Sequence, residues 1–83
     1  MATNNEKVES IKELKIFLKY MIEHNKKHFL EMQDLEKKIS SINKSADNKF
    51  LSAMDSFQEG IKKLEDTFDI VKELWLCVYL LPI

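Results

Sequence analysis

Two runs of apolar residues, each recurring in alternating steps of three and four, constrain this chain more than any other feature. This spacing puts the apolar side chains on one face of an α-helix, and its repetition over several heptads is typical of helices that pair along their length. In the first run the only polar interruption is at Asn25 and His28. The first run comprises Ile11, Leu14, Leu18, Met21, Asn25, His28, Met32, Leu35, Ile39 and Ile42, and the second comprises Phe50, Met54, Phe57, Ile61, Leu64, Phe68, Val71, Trp75 and Val78.

The segment between the two runs predicts a turn, because it is rich in Asn, Ser and Asp, which bond to their own backbone. Ser45 or Asp47 could cap the helix that follows it. At the start of the chain, Thr3 and Glu6 have the spacing of a capping box, and Pro82 ends the second run. We therefore expect one domain, residues 1–83, with a helix over about 4–42, a turn over about 43–47 and a helix over about 48–80.

The two runs are mirror images about the turn. If the chain folds back between Lys44 and Ser45, each member of the first run from Ile11 to Ile39 meets a member of the second, and the two residue numbers add up to 89. The pairs extend from Ile39 with Phe50 to Ile11 with Val78. The fold class predicted is all-α: a long antiparallel two-helix hairpin, coiled-coil-like in its pairing.

A hairpin of this shape buries little apolar area, and many apolar residues remain beside the two runs. Left in water they would form a large exposed patch. We therefore predict that two hairpins dimerise into a four-helix bundle. The residues expected at the interface are Phe17, Tyr20, Ile22, Phe29, Leu74, Cys77, Leu80 and Leu81.

Composition argues against several classes of function. The net charge is −1 and all 13 basic residues are Lys, so we expect no nucleic-acid partner, which would favour a basic surface with Arg. The single cysteine excludes a disulfide within the chain and favours a cytoplasmic protein. No apolar run approaches the ~20 residues of a membrane span, so membrane contact is not expected. Without a phosphate loop or a paired nucleophile and base, we predict no enzymatic activity.

His24 and His28 are four residues apart and so share one helix face, which Glu31 extends. Two imidazoles and a carboxylate suit zinc, nickel or iron. One hairpin supplies two or three ligands, so a closed tetrahedral site would need a second subunit. Two other interpretations remain open: Asn25 and His28 could set the helix register, or the histidines could act as a proton-linked switch.

The main hypothesis for function is a small interaction or scaffold module that associates with itself or with a helical partner and needs no cofactor. The first alternative is a metal-binding protein that holds zinc or nickel at His24 and His28. The second is a secretion- or membrane-associated hairpin that uses its apolar end, residues 74–83. That end is interpreted as oligomer core, with partner docking or membrane contact as the alternatives.

The segment from Tyr20 to His28 resembles a small archaeal and bacterial domain family of uncharacterised function. That family has the pattern H-W-x-E-H-N-x-x-H on its first helix, and a second helix follows. The resemblance covers Glu23, His24, Asn25 and His28 and, more loosely, the two-helix layout through about residue 75. Tyr20 stands where the family has its first histidine, and residue 21 is Met where the family has Trp. The resemblance implies a helical hairpin with a His-based site in which one ligand is lost or replaced by a phenol.

Overall fold

The computed structural model describes the backbone of residues 4–80 and the side chains of residues 10–74. Two helices account for almost all of it: α1 spans Asn4–Ile42 and α2 spans Lys44–Leu80. They pack side by side in opposite directions into a rod measuring 62 × 20 × 14 Å. At 1.5 Å per residue a helix of 39 residues is about 58 Å long, so α1 runs the length of the rod. The predicted all-α, antiparallel two-helix hairpin is confirmed.

A single residue, Asn43, connects the helices. Its N–H donates to the Ile39 carbonyl, 3.0 Å away, and its own carbonyl accepts from the Asp47 N–H at 3.0 Å. Its side-chain Oδ1 accepts from the Ala46 N–H at 2.8 Å. Asn43 therefore makes the last backbone bond of α1 and is also the N-cap of α2.

This connection is shorter than the sequence predicted. We expected a turn over about 43–47 with Ser45 or Asp47 as the cap, but α2 begins at Lys44. Asn is as good an N-cap as Ser or Asp, and capping at Asn43 turns the next four residues into the first turn of α2. Asp47 then lies in that first turn, where the helix dipole favours a negative charge.

The stripe of α2 that faces α1 is the predicted one wherever side chains are described. Met54, Ile61 and Val71 are buried. Phe50, Phe57, Leu64 and Phe68 are half-buried between them. Only one set of positions on α2 is apolar at this spacing, so the sequence pattern allows only one face of α2 to pack against α1.

On α1 the prediction is wrong at every second position. Leu14, Met21, His28 and Leu35 are exposed, as is Ile42 at the end of the helix. The neighbouring positions turn inward instead, and Ile22 is the most buried of them. The inward stripe of α1 consists of Ile11, Lys15, Leu18, Ile22, Asn25, Phe29, Met32, Glu36 and Ile39.

The physical reason is that two stripes of α1, the predicted one and the observed inward one, compete to face α2. They share every other member. At the middle of α1 one stripe would bury Met21 and His28, and the other buries Ile22 and Phe29. The second choice removes more apolar area from water and avoids desolvating an imidazole. Near the start of the helix it turns Lys15 inward, where the long apolar stem can pack while the charge stays hydrated. In three of the predicted 89-sum pairs, those of residues 21, 28 and 35, the α1 member is therefore exposed rather than turned toward α2, and the pair of Leu14 with Trp75 falls on a side chain that is not described.

Some predictions fall on residues whose structure is not described. These are the Thr3 half of the capping box, the inward positions of Trp75 and Val78, and Pro82 as the stop signal. Within residues 4–80, neither helix has an apolar stretch of the length and hydropathy needed to cross a membrane.

Candidate functional site

A second stripe on α1 is exposed along its whole length. Its members also recur in steps of three and four, the spacing by which one helix packs on another. At 3.6 residues per turn, its centre lies about 100° around the helix from that of the inward stripe. We call it the outer stripe, and it consists of Leu14, Phe17, Met21, His24, His28, Glu31, Leu35, Lys38 and Ile42.

The middle of the outer stripe is a connected polar cluster. The Nε2 atoms of His24 and His28 are 2.9 Å apart, and their rings meet edge to face with centroids 4.4 Å apart. The Nδ1 atom of His28 is 3.2 Å from Oε2 of Glu31. On the other side Tyr20 stacks on the His24 ring, with centroids 5.5 Å apart and an angle of 16° between the planes. These four side chains form a row along the surface of α1.

This geometry gives the clustered residues different roles. When Nδ1 of His28 donates to the Glu31 carboxylate, Nε2 of His28 is left as a lone-pair donor. The two Nε2 atoms then lie next to each other. Glu31 contacts the opposite nitrogen of His28, so it orients that ring and does not add a third donor beside the two Nε2 atoms. Among the residues that the structure describes, no group of three or more His, Cys, Asp or Glu side chains is arranged to hold a metal ion. The three predicted metal residues are thus close together, with the two Nε2 atoms next to each other and the Glu31 carboxylate against Nδ1 of His28.

Tyr20 has a contact that the sequence analysis did not assign to it. It was predicted as an interface residue, and its i, i+4 spacing from His24 is the signal for stacking. Its ring is exposed on one face and covers His24 with the other. It therefore limits the orientations that the His24 imidazole can take.

The predicted interface residues divide into three groups. Phe17, Tyr20 and Leu74 are exposed, as a contact surface requires. Ile22 is buried and Phe29 half-buried within the hairpin, which corrects their assignment to an outer surface. Cys77, Leu80 and Leu81 lie outside the described side chains.

An ion pair between the two helices lies on the flank of the hairpin opposite the outer stripe. Nζ of Lys26 lies 2.9 Å from Oε2 of Glu65, and this ion pair joins α1 to α2. It borders an open groove of about 810 Å³ whose apolar lining includes Phe29 and Ile61. Asn25, which was predicted to set register together with His28, instead donates from Nδ2 to the Met21 carbonyl of its own helix at 2.8 Å. The two residues do not act as a pair, because His28 is on the outer stripe.

A carboxyl pair lies near the connection between the helices. Asp47 is 8% exposed, and its Oδ1 has no hydrogen-bond partner among the described residues. A hydrogen bond to Asp47, partial burial and the negative charge of Asp47 together raise the pKa of Glu36 above its ordinary 4.5. The folded chain therefore holds a proton on Glu36 to a higher pH than the unfolded chain does.

Comparison with known proteins identifies the family. A family model described as "Domain of unknown function (DUF8180)" matches residues 14–71, more than half of the chain, and the chain belongs to this family. No curated protein and no solved structure gives a significant match. The predicted resemblance to an uncharacterised domain family is confirmed in that form, and the histidine motif ascribed to that family stays a prediction.

Proposed function

We propose that this DUF8180 member is a self-associating helical module in which a second copy packs on the outer stripe and completes a four-helix bundle. The observation that carries the proposal is a second stripe of helix-pairing spacing on α1 whose side chains are all exposed in the described part of the chain. Its apolar members Leu14, Phe17, Met21, Leu35 and Ile42 are all exposed.

The angle between the two stripes of α1 suits this assembly. In a four-helix bundle each helix has two neighbours, at adjacent corners of a rough square, so its two contact faces lie about 90° apart. The outer stripe lies about 100° from the inward one. A helix with one neighbour at its inward stripe therefore has room for a second at its outer stripe.

The surface area of the chain supports a second copy. A compact monomer of 9.8 kDa exposes about 5,200 Å², whereas this chain exposes 6797 Å². The excess of roughly 1,600 Å² is within the range that each partner of an obligate homodimer buries. The hairpin also contains no large side chain that is fully buried among the described residues, so its own core is small.

The order of residues along the outer stripe favours the same chain as the partner. Apolar residues predominate at both ends, with Lys38 as the exception, and the polar cluster occupies the middle. An antiparallel two-fold interface can therefore bring the two polar middles together, although it then also sets Met21 against Glu31 and Leu14 against Lys38. In an antiparallel arrangement of α1 on α1, His24 of one copy lies level with His28 of the other, and Phe17 lies level with Leu35.

Sedimentation equilibrium in chelator tests the proposal with two adjacent substitutions. Phe17 is 66% exposed and belongs to the outer stripe, whereas Ile16 is 60% exposed and does not. The chain should sediment as a dimer. Phe17→Glu should weaken dimerisation at least tenfold, because it places a charge in an apolar contact, and Ile16→Glu should leave it nearly unchanged. A monomeric wild type, or equal losses in both variants, would overturn the proposal.

Metal binding is a second candidate, supported by the 2.9 Å approach of the two Nε2 atoms. As a function in itself it requires each hairpin to hold an ion with two imidazoles and solvent ligands. Zinc titration of a chain kept monomeric by Phe17→Glu tests it. Uptake of one ion per chain would support this candidate, and no uptake by the monomer would remove it.

A further inference from the structure

We infer that two copies of this chain share one divalent transition-metal ion, bound by Nε2 of His24 and Nε2 of His28 from each copy. This inference rests on the proposed dimer, because a single hairpin supplies only half of a tetrahedral ligand set. It assigns the polar middle of the outer stripe a role that the apolar ends cannot have.

The spacing within one chain fits half of such a site. Zinc binds imidazole nitrogen at 2.0–2.1 Å, so two ligands of a tetrahedral ion are about 3.4 Å apart. The two Nε2 atoms are 2.9 Å apart. Their separation needs to grow by only about 0.5 Å, which small side-chain rotations provide. The ion takes the place of the hydrogen that lies between the two Nε2 atoms. The proton of the His24 imidazole then resides on Nδ1 instead of Nε2.

The residues on either side of the histidines hold them ready for an ion. The Glu31 carboxylate is 3.2 Å from Nδ1 of His28, the carboxylate–histidine arrangement found behind many zinc ligands. Tyr20 stacks on the ring of His24. Both imidazoles are therefore oriented on an exposed surface before any ion arrives.

The two-fold axis of the proposed dimer completes the set. When His24 of one copy lies level with His28 of the other, the axis passes level with residue 26 and four imidazoles surround it. Four neutral nitrogens in a tetrahedral site suit zinc and exclude magnesium and calcium, which prefer oxygen ligands. Beyond the histidines, the contact of Phe17 with Leu35 on each side would limit the access of water to the ion.

Native mass spectrometry of the full chain, prepared without a histidine tag and titrated with zinc, reads oligomer mass and metal count together. The expected species is two chains with one zinc ion, and magnesium should not replace it. His24→Ala and His28→Ala should each lower zinc affinity at least tenfold while the dimer persists. Lys27→Ala, an exposed neighbour outside the outer stripe, is the control and should bind zinc like the wild type.

The possible outcomes distinguish failure of the shared metal site from failure of the proposed dimer. A dimer that takes up no zinc, or that keeps its zinc in both histidine variants, overturns the inference and leaves the proposed function standing. A monomer without zinc overturns both. A monomer with one zinc ion per chain overturns the shared site and the dimer, and supports the single-hairpin alternative.

Discussion

The carboxyl of Glu36 on α1 lies beside that of Asp47 on α2, near the single residue that connects the helices, and Asp47 raises the pKa of Glu36. Both residues lie on inward-facing positions, and Asp47 is buried. The negative charge of Asp47 disfavours a second charge beside it, so the protonated form of Glu36 is favoured in the folded chain. The connection end of the hairpin is therefore sensitive to pH.

This carboxyl pair predicts a pH dependence with a definite sign. The pKa of Glu36 is raised in the folded chain, so its contribution to stability is complete below the ordinary value of 4.5 and is lost as the pH rises through the raised value. Glu36→Gln keeps a hydrogen-bond donor at every pH. The variant should be more stable than the wild type at pH 7, and the difference should vanish toward pH 4.

Urea denaturation at several pH values and one chain concentration measures this difference. Glu13→Gln, which alters an exposed acid on the same helix, is the control and should follow the wild type at every pH. If Glu36→Gln raised the free energy of unfolding by the same amount from pH 4 to pH 7, folding would not raise the pKa of Glu36.

The cap at the connection makes a second prediction. Asn43→Ala removes the oxygen that accepts from the Ala46 N–H and should lower the free energy of unfolding by about 1 kcal/mol. Ser45→Ala, at a position that the sequence also offered as a cap, should change it by less than about 0.5 kcal/mol. Thermal unfolding at a fixed chain concentration compares the two. Equal losses, or a larger loss in the Ser45 variant, would place the cap elsewhere.

The orienting role of Glu31 makes a third prediction. Glu31→Gln weakens the carboxylate contact to Nδ1 of His28 and should lower zinc affinity about tenfold, as the loss of such partners does at other metal sites. Glu23→Gln, exposed and next to His24 but outside the outer stripe, should have no effect. Calorimetric zinc titration gives both values. If the two substitutions acted alike, Glu31 would contribute only general negative charge.

The sequence predicted α2 well and α1 only in part, for a reason that lies in the residues themselves. On α2 one set of positions is apolar, so Met54, Ile61 and Val71 had to face inward. On α1 two stripes interleave, and the pattern alone does not rank Met21 with His28 against Ile22 with Phe29. That ranking depends on the free energy of burying each pair against α2, which periodicity does not contain.

The candidate site was predicted in composition but not in arrangement. The spacing of His24 and His28 predicted their proximity, because residues four apart are neighbours on a helix. It left open which imidazole nitrogens converge and which atom Glu31 contacts, since these depend on side-chain rotations. The cap was ambiguous in a similar way, because Asn43, Ser45 and Asp47 can all cap a helix.

The central claim is that α1 of one copy packs antiparallel on α1 of another, with the two-fold axis level with residue 26. Pulsed electron paramagnetic resonance can measure the distance between nitroxide labels on the two chains. The labels would be placed by Lys27→Cys or by Ser41→Cys, in a Cys77→Ala background confirmed to dimerise like the wild type. Both labelled positions are exposed, and they lie two heptads apart on the same side of α1.

At a rise of 1.5 Å per residue, the two labels at position 27 should be offset by only about 3 Å along the helix axis, and those at position 41 by about 45 Å. For the proposed antiparallel dimer we expect a short label-to-label distance at position 27 and a distance above about 45 Å at position 41. Equal short distances at both positions would mean parallel helices, and no measurable coupling at position 27 would mean that the outer stripe of α1 is not the interface.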